Sequence, residues 1–135
     1  MTALASLAGR RVLVVEDDMM IALLIEEVLQ SLGCVVVGPV GKLDTALRLA
    51  NDEAIDAAVL DVTIRGGDVF PVAERLMARS IPFALASGYG DWALPEIFRN
   101  KPRLTKPFSV QQLTARMQAL CSEHGAAAPT ATSLA

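Results

Sequence analysis

Short apolar runs, each stopping abruptly at a polar residue, alternate along this chain with segments of helical periodicity. Val12–Val15 ends in Glu16, Asp17 and Asp18, Ala57–Leu60 in Asp61 and Phe83–Ala86 in Ser87-Gly88, while Arg103–Thr105 reads as a short fifth strand ending at Lys106-Pro107. Cys34–Val37 is closed by Gly38-Pro39. Met20, Leu23, Leu24, Val28 and Leu32 recur at helical spacing up to Gly33, and Leu43, Ala46, Leu47 and Ala50 repeat the pattern. After a Gly66-Gly67 loop, Val72, Ala73, Leu76 and Met77 mark a helix over Val69–Arg79. Ser109 can cap a last helix striped by Val110, Leu113, Met117 and Leu120. Strands apolar on consecutive residues suit burial on both faces, so the pattern predicts an α/β domain with a doubly wound parallel sheet. Gly90, Pro95 and Pro102 interrupt the stretch before Lys106. They predict a shortened or irregular fourth helix, at most about Asp91–Phe98.

A chain of 135 residues is one domain's worth, large enough to fold without metal or disulfide. The expected layout is an N-terminal extension over 1–9, a domain over 10–123 and a disordered, uncharged tail over 124–135. Twelve basic against fifteen acidic residues, a net charge of −3, argue against a nucleic-acid binder and against a polybasic membrane anchor. No apolar stretch is long enough to span a bilayer, and a cytoplasmic protein is expected. Cys34 and Cys121 read as small buried apolar residues rather than a disulfide or metal pair. His124, just before Gly125, reads as a residue near a helix end.

In open α/β sheets ligands bind beyond the carboxyl ends of the strands. That edge would gather Glu16, Asp17, Asp61, Ser87 and Lys106. Two carboxylates at about 4 Å repel by about 4 kcal/mol at an effective dielectric of ~20. A hard divalent ion such as Mg²⁺ relieves this, and Lys106 offers a point charge for a further anion, so the set suits a phosphoryl group. Taken singly, each residue has a plainer role. Asp17 or Asp18 could cap the first helix, Asp61 and Ser87-Gly88 could be turn residues, and Lys106 could sit in a solvated loop. Their coincidence at successive strand ends favours the site.

With VLVVEDD, VLDVTIRGG and LTKPF in that order, and a small hydroxyl residue ending strand four, the chain resembles response-regulator receiver domains of two-component signalling from about Arg11 to Ser122. The resemblance implies a flavodoxin-like five-stranded sheet of order 2-1-3-4-5. It implies that Asp61 accepts a phosphoryl group, that Asp17, Glu16, Asp61 and the Thr63 backbone carbonyl bind Mg²⁺ (or Mn²⁺), and that Lys106 and Ser87 hold phosphoryl oxygens. Most receivers carry an aromatic where Arg103 stands. PFALASGYG resembles the signature of the FAT GUY subgroup of single-domain regulators, with Ser87 in place of threonine. Members of that subgroup exchange phosphate with HWE or HisKA2-type histidine kinases.

The expected protein is thus a stand-alone signalling protein rather than an enzyme acting on free substrates. Its expected partners are a sensor histidine kinase and a downstream histidine phosphotransfer or output protein. Alternatives are a pseudo-receiver that docks without phosphorylation and a haloacid-dehalogenase-like phosphatase, whose D-x-D pattern the sequence does not match at Glu16-Asp17-Asp18-Met19. A flavodoxin is weaker still, because no hydroxyl-rich phosphate loop follows strand one. Tyr89 and Trp92 could join a docking surface or simply cover the core edge.

Overall fold

The computed structural model describes residues 7–88 and 94–121. In chain order the elements are β1 (Arg11–Val15), α1 (Met19–Ser31), β2 (Val35–Val40), α2 (Leu43–Asp52), β3 (Ala57–Asp61), β4 (Thr63–Ile64), β5 (Gly67–Asp68), α3 (Phe70–Ala78), β6 (Phe83–Ser87), a 3₁₀ turn (Glu96–Phe98) and β7 (Arg103–Thr105). A last helix, α4, covers residues 110–121. Five strands form one parallel sheet of order β2-β1-β3-β6-β7, which is the 2-1-3-4-5 topology with the small strands β4 and β5 set apart.

The sheet is apolar on both faces because each face carries its own core. Leu13 and Val15 of β1, Ala58 and Leu60 of β3, and Phe83 and Leu85 of β6 pack with α2 and α3 residues such as Ala46, Ala50, Val72 and Leu76. The alternate residues Val12, Val14, Ala57, Val59, Ala84 and Ala86 pack with Ile25, Leu29, Leu113 and Met117 on α1 and α4. The period of two in a strand thus feeds two cores at once. Leu7, in the segment ahead of β1, is fully buried in the second of them.

Four details differ from the sequence reading. Strand β2 does not stop at Gly38-Pro39 but runs through it to Val40, with a register shift against β1 between Leu13 and Val15. Gly38 makes this possible at φ +98°, where an added Cβ would lie 3.0 Å from Val14 O and Val40 N. Helix α1 has the expected period but a different face. Met20 and Leu23 are 77% and 51% exposed, while Ala22, Ile25, Val28 and Leu29 are buried. Its first two turns, Met19 to Ile25, are apolar all round, so periodicity alone could not choose the inward side. Val110 likewise faces out at 50% exposure, whereas Leu113, Met117 and Leu120 form the buried stripe.

The fourth difference lies after β3. The glycine loop is the turn of a two-stranded antiparallel ribbon pairing Thr63 with Asp68 and Ile64 with Gly67.

Ser109 caps α4 as expected and does so reciprocally. Its Oγ accepts from Gln112 N at 3.0 Å, and its own N–H donates to Gln112 Oε1 at 2.8 Å. Both cysteines are free and buried. Among the described residues between β6 and β7 the helical element is the 3₁₀ turn, held by Phe98 stacking on Phe70 at 5.0 Å. Arg103 donates from Nη2 to Arg99 O at 3.0 Å, and Arg99 Nε donates to Leu94 O at 3.0 Å. Tyr89, Trp92, the whole of the expected 124–135 tail with His124, and residues 91–93 of the Asp91–Phe98 segment lie outside the described residues. Among the described residues no helix is long and apolar enough to cross a membrane.

Candidate phosphoryl-transfer site

Because the sheet strands are parallel, their carboxyl ends share one edge. Register fixes how the side chains meet there. Asp61 is level with Ala86, Ala86 with Leu104, and Ser87 with Thr105, so Lys106 follows one step beyond. Lys106 N–H donates to Ser87 O at 2.9 Å, and Glu16 N–H donates to Val40 O at 2.8 Å, which anchors both loops to neighbouring strands.

The three consecutive acids divide their work. Asp18 is the N-cap of α1, its Oδ1 accepting from Met20 N at 3.0 Å and Ile21 N at 3.2 Å. Glu16 turns inward and is only 4% exposed, with Oε2 accepting from Asp18 N at 3.0 Å. Asp17 is left to face the site. Carboxylate oxygens of Glu16, Asp17 and Asp61 all lie within 4.8 Å of one another.

Lys106 answers part of this charge. Its Nζ lies 3.0 Å from Glu16 Oε1 and 3.2 Å from Asp61 Oδ1. Burial pushes the Asp61 carboxyl up to about 7, helped by hydrogen bonding and repulsion from Glu16 and opposed by Lys106. For Lys106 burial acts downward, but the hydrogen bond to Glu16 and the charges of Asp61 and Glu16 outweigh it, and its pKa is raised. The ammonium therefore stays charged while Asp61 is poised near neutrality.

Beside these groups opens a cavity of about 380 Å³ lined by Asp61, Val62, Thr63, Ser87, Gly88 and Lys106. Ser87 is buried at its rim, 4% exposed, and Thr63 is exposed. Glu16, Asp17, Asp61, Thr63, Ser87 and Lys106 thus gather around one edge.

The donor set fits a hard divalent cation. It consists of carboxylates alone, without nitrogen or sulfur, in the cluster of three. Glu16 Oε1 is buried, with the Lys106 ammonium 3.0 Å away.

Gly41 carries no motif in the sequence, yet it stands against the acids. A Cβ on it would lie 2.9 Å from Asp17 Cα and 3.0 Å from Asp17 Cβ.

No family model matches the chain. The chain is similar to the solution structure of SdrG from Sphingomonas melonis Fr1, at 40% identity and a TM-score of 0.73, covering 89% of this chain and 98% of that one. The chain belongs to the response-regulator receiver family. The response regulator PhyR from Brucella abortus matches this receiver at 26% identity and a TM-score of 0.78, over 96% of this chain and 56% of that one. The receiver domain of sensor histidine kinase PA1611 from Pseudomonas aeruginosa PAO1, solved with magnesium in its active-site cleft, matches at 26% identity and a TM-score of 0.72, over 85% and 99%. The chain spans about half the length of the curated relatives it matches, such as the transcriptional regulatory protein PdtaR of Mycobacterium tuberculosis, 30% identical over 108 residues and 77% of this chain.

Proposed function

We propose that this receiver accepts a phosphoryl group on Asp61 from the phosphohistidine of a sensor histidine kinase, in a reaction that requires Mg²⁺ (or Mn²⁺). The observation that carries the reading is the Lys106 ammonium set between Asp61 and Glu16 at the mouth of the 380 Å³ cavity. Asp61, Asp17 and Glu16 would hold the ion, with the Thr63 carbonyl as a further oxygen ligand. Bound there, the ion supplies positive charge to the carboxylates and to the oxygens of the transferring group.

The chain's own residues do the rest. An Asp61 carboxylate oxygen attacks phosphorus, a P–O bond forms, and the P–N bond to histidine breaks with its electron pair leaving on the imidazole nitrogen. Lys106 keeps its charge through the reaction and stabilises the phosphoryl oxygens. Ser87, buried beside the cavity, turns its hydroxyl to a phosphoryl oxygen once Asp61 is modified. The added charge of about −1.5 to −2 favours the arrangement in which Ser87 and Lys106 move inward, and that shift is the signal. The protein acts on its own Asp61 and is not an enzyme of free substrates.

The PFALASGYG segment supports placement in the FAT GUY subgroup, with an HWE or HisKA2-type kinase as donor. A histidine phosphotransfer or output protein then receives the signal. Intact-protein mass after incubation with Mg²⁺, ATP and an HWE-type kinase tests the reading. One phosphoryl group on the wild type, labile at high pH and lost in Asp61→Ala, is expected. No addition with several competent kinases, together with no Mg²⁺-dependent binding of beryllofluoride, leaves a receiver that works by docking alone.

A further inference from the structure

The cation-binding acids come from two separate loops, one after β1 and one at the end of β3, and something must hold those loops in mutual position. Gly41, between β2 and α2, touches both. On one side its Cα packs so tightly on Asp17 that an added Cβ would meet Asp17 Cα at 2.9 Å, Asp17 Cβ at 3.0 Å and Glu16 O at 3.3 Å. A contact under 3.0 Å to backbone cannot be relieved by turning a side chain, so the acidic loop itself would have to move. On the other side Gly41 O accepts from Arg65 N at 3.1 Å, and Arg65 O accepts from Leu43 N at 2.9 Å. These bonds make the parallel bridge between Lys42 and Arg65 and tie down the β4–β5 ribbon that directly follows Asp61. The neighbouring residue completes the tie, since Val40 O accepts from Glu16 N at 2.8 Å.

We propose that Gly41 is a positioning residue for the cation site, a buttress that sets the Asp17 loop and the loop after Asp61 at the separation a small divalent ion requires. The inference rests on the Mg²⁺ reading above. Mg²⁺ demands near-ideal octahedral geometry at about 2.1 Å, so displacing one carboxylate-bearing loop by a few tenths of an ångström is felt directly in affinity. A residue this close to Asp17 has no side chain because none fits, and its backbone conformation is not the reason, as its φ lies outside the left-handed range.

The test is Mg²⁺ binding by titration calorimetry, with thermal unfolding in EDTA measured beside it, on the full chain and on Gly41→Ala. The expected result is an Mg²⁺ dissociation constant raised about tenfold or more in the folded variant. Gly33→Ala is the control, because Gly33 has a φ of +89° and contacts Ala8, away from the acids. It should lower the melting temperature and leave Mg²⁺ affinity unchanged. Hydrogen exchange on the wild type supplies a second measurement that survives a misfolded variant. Mg²⁺ should slow exchange of the Arg65 and Leu43 amides, which pin the two loops together. Equal affinity in Gly41→Ala, or unchanged exchange at both amides, overturns the buttress while leaving the cation site intact. A wild type that takes up no Mg²⁺ overturns both.

Discussion

Lys106 Nζ lies 3.2 Å from Asp61 Oδ1, an ion pair between the last residue of β3 and the residue just past β7, two non-adjacent strands of the sheet. The same ammonium reaches Glu16 at 3.0 Å, where the side chain is 1% exposed. One cation thus balances two crowded carboxylates in the metal-free protein, and a phosphoryl group arriving at Asp61 would inherit that cation.

Replacing Lys106 by alanine leaves Glu16 and Asp61 facing each other without it. Phosphoryl transfer to Asp61 is expected to slow by about 10²-fold, the scale of losing one fixed charge at a reacting group. Modification itself should persist, while the conformational response to beryllofluoride weakens. Rates from intact mass and shift changes by NMR check both halves, and an unchanged NMR response would remove Lys106 from the switch.

The raised pKa of Asp61 makes metal-free stability depend on pH. In the unfolded chain the carboxyl titrates near 3.8, and in the folded protein near 7. Between those values the folded state holds a proton the unfolded state has released, so stability falls as pH rises across that window and levels off above it. Asp61→Asn should flatten the profile and gain about 1–3 kcal/mol over wild type at pH 8 in EDTA. Urea unfolding at pH 5 and pH 8 checks this. A wild type equally stable at both, with no gain from Asn, would refute it.

Adjacent aspartates should separate cleanly. Asp18→Ala removes the cap of α1 and is expected to cost about 1 kcal/mol with little change in Mg²⁺ affinity. Asp17→Ala should do the reverse, abolishing most Mg²⁺ binding and leaving metal-free stability equal or higher, because one of three clustered carboxylates is gone. Calorimetry and thermal melts on the two variants give the comparison.

Phe98 is 1% exposed and stacks on Phe70 with ring planes 13° apart. It anchors the 3₁₀ turn of the connection between β6 and β7. Phe98→Ala should cost about 3–5 kcal/mol, as large-to-small changes at buried aromatics do. A loss under 1 kcal/mol by chemical denaturation would show that the connection is not held from this point.

The alternation of strand and helix was legible because β1, β3 and β6 are apolar at consecutive positions, the mark of burial on both faces. Glu16, Asp17, Asp61, Ser87 and Lys106 followed from it, since parallel strands deliver their ends to one edge. What was not legible lacked a period or a local signature. Helix α1 is apolar around its whole first half, so Met20 and Leu23 read as core although they face outward. Two-residue strands such as Thr63–Ile64 are too short to show alternation. Asp18 was separable from Asp17 only once its oxygen was seen on Met20 and Ile21 N–H groups. Gly41 has no sequence signal at all, because its importance lies in what it would hit.

Strand β2, at one border of the sheet, carries a proline at position 39 within its ladder. Proline has no N–H to offer, and the glycine before it twists the strand where it would otherwise run flat. The opposite border, β7, is three residues long. Neither margin presents the long row of open amides that invites another chain to add a strand. Both margins of the sheet are therefore guarded against edge-to-edge pairing.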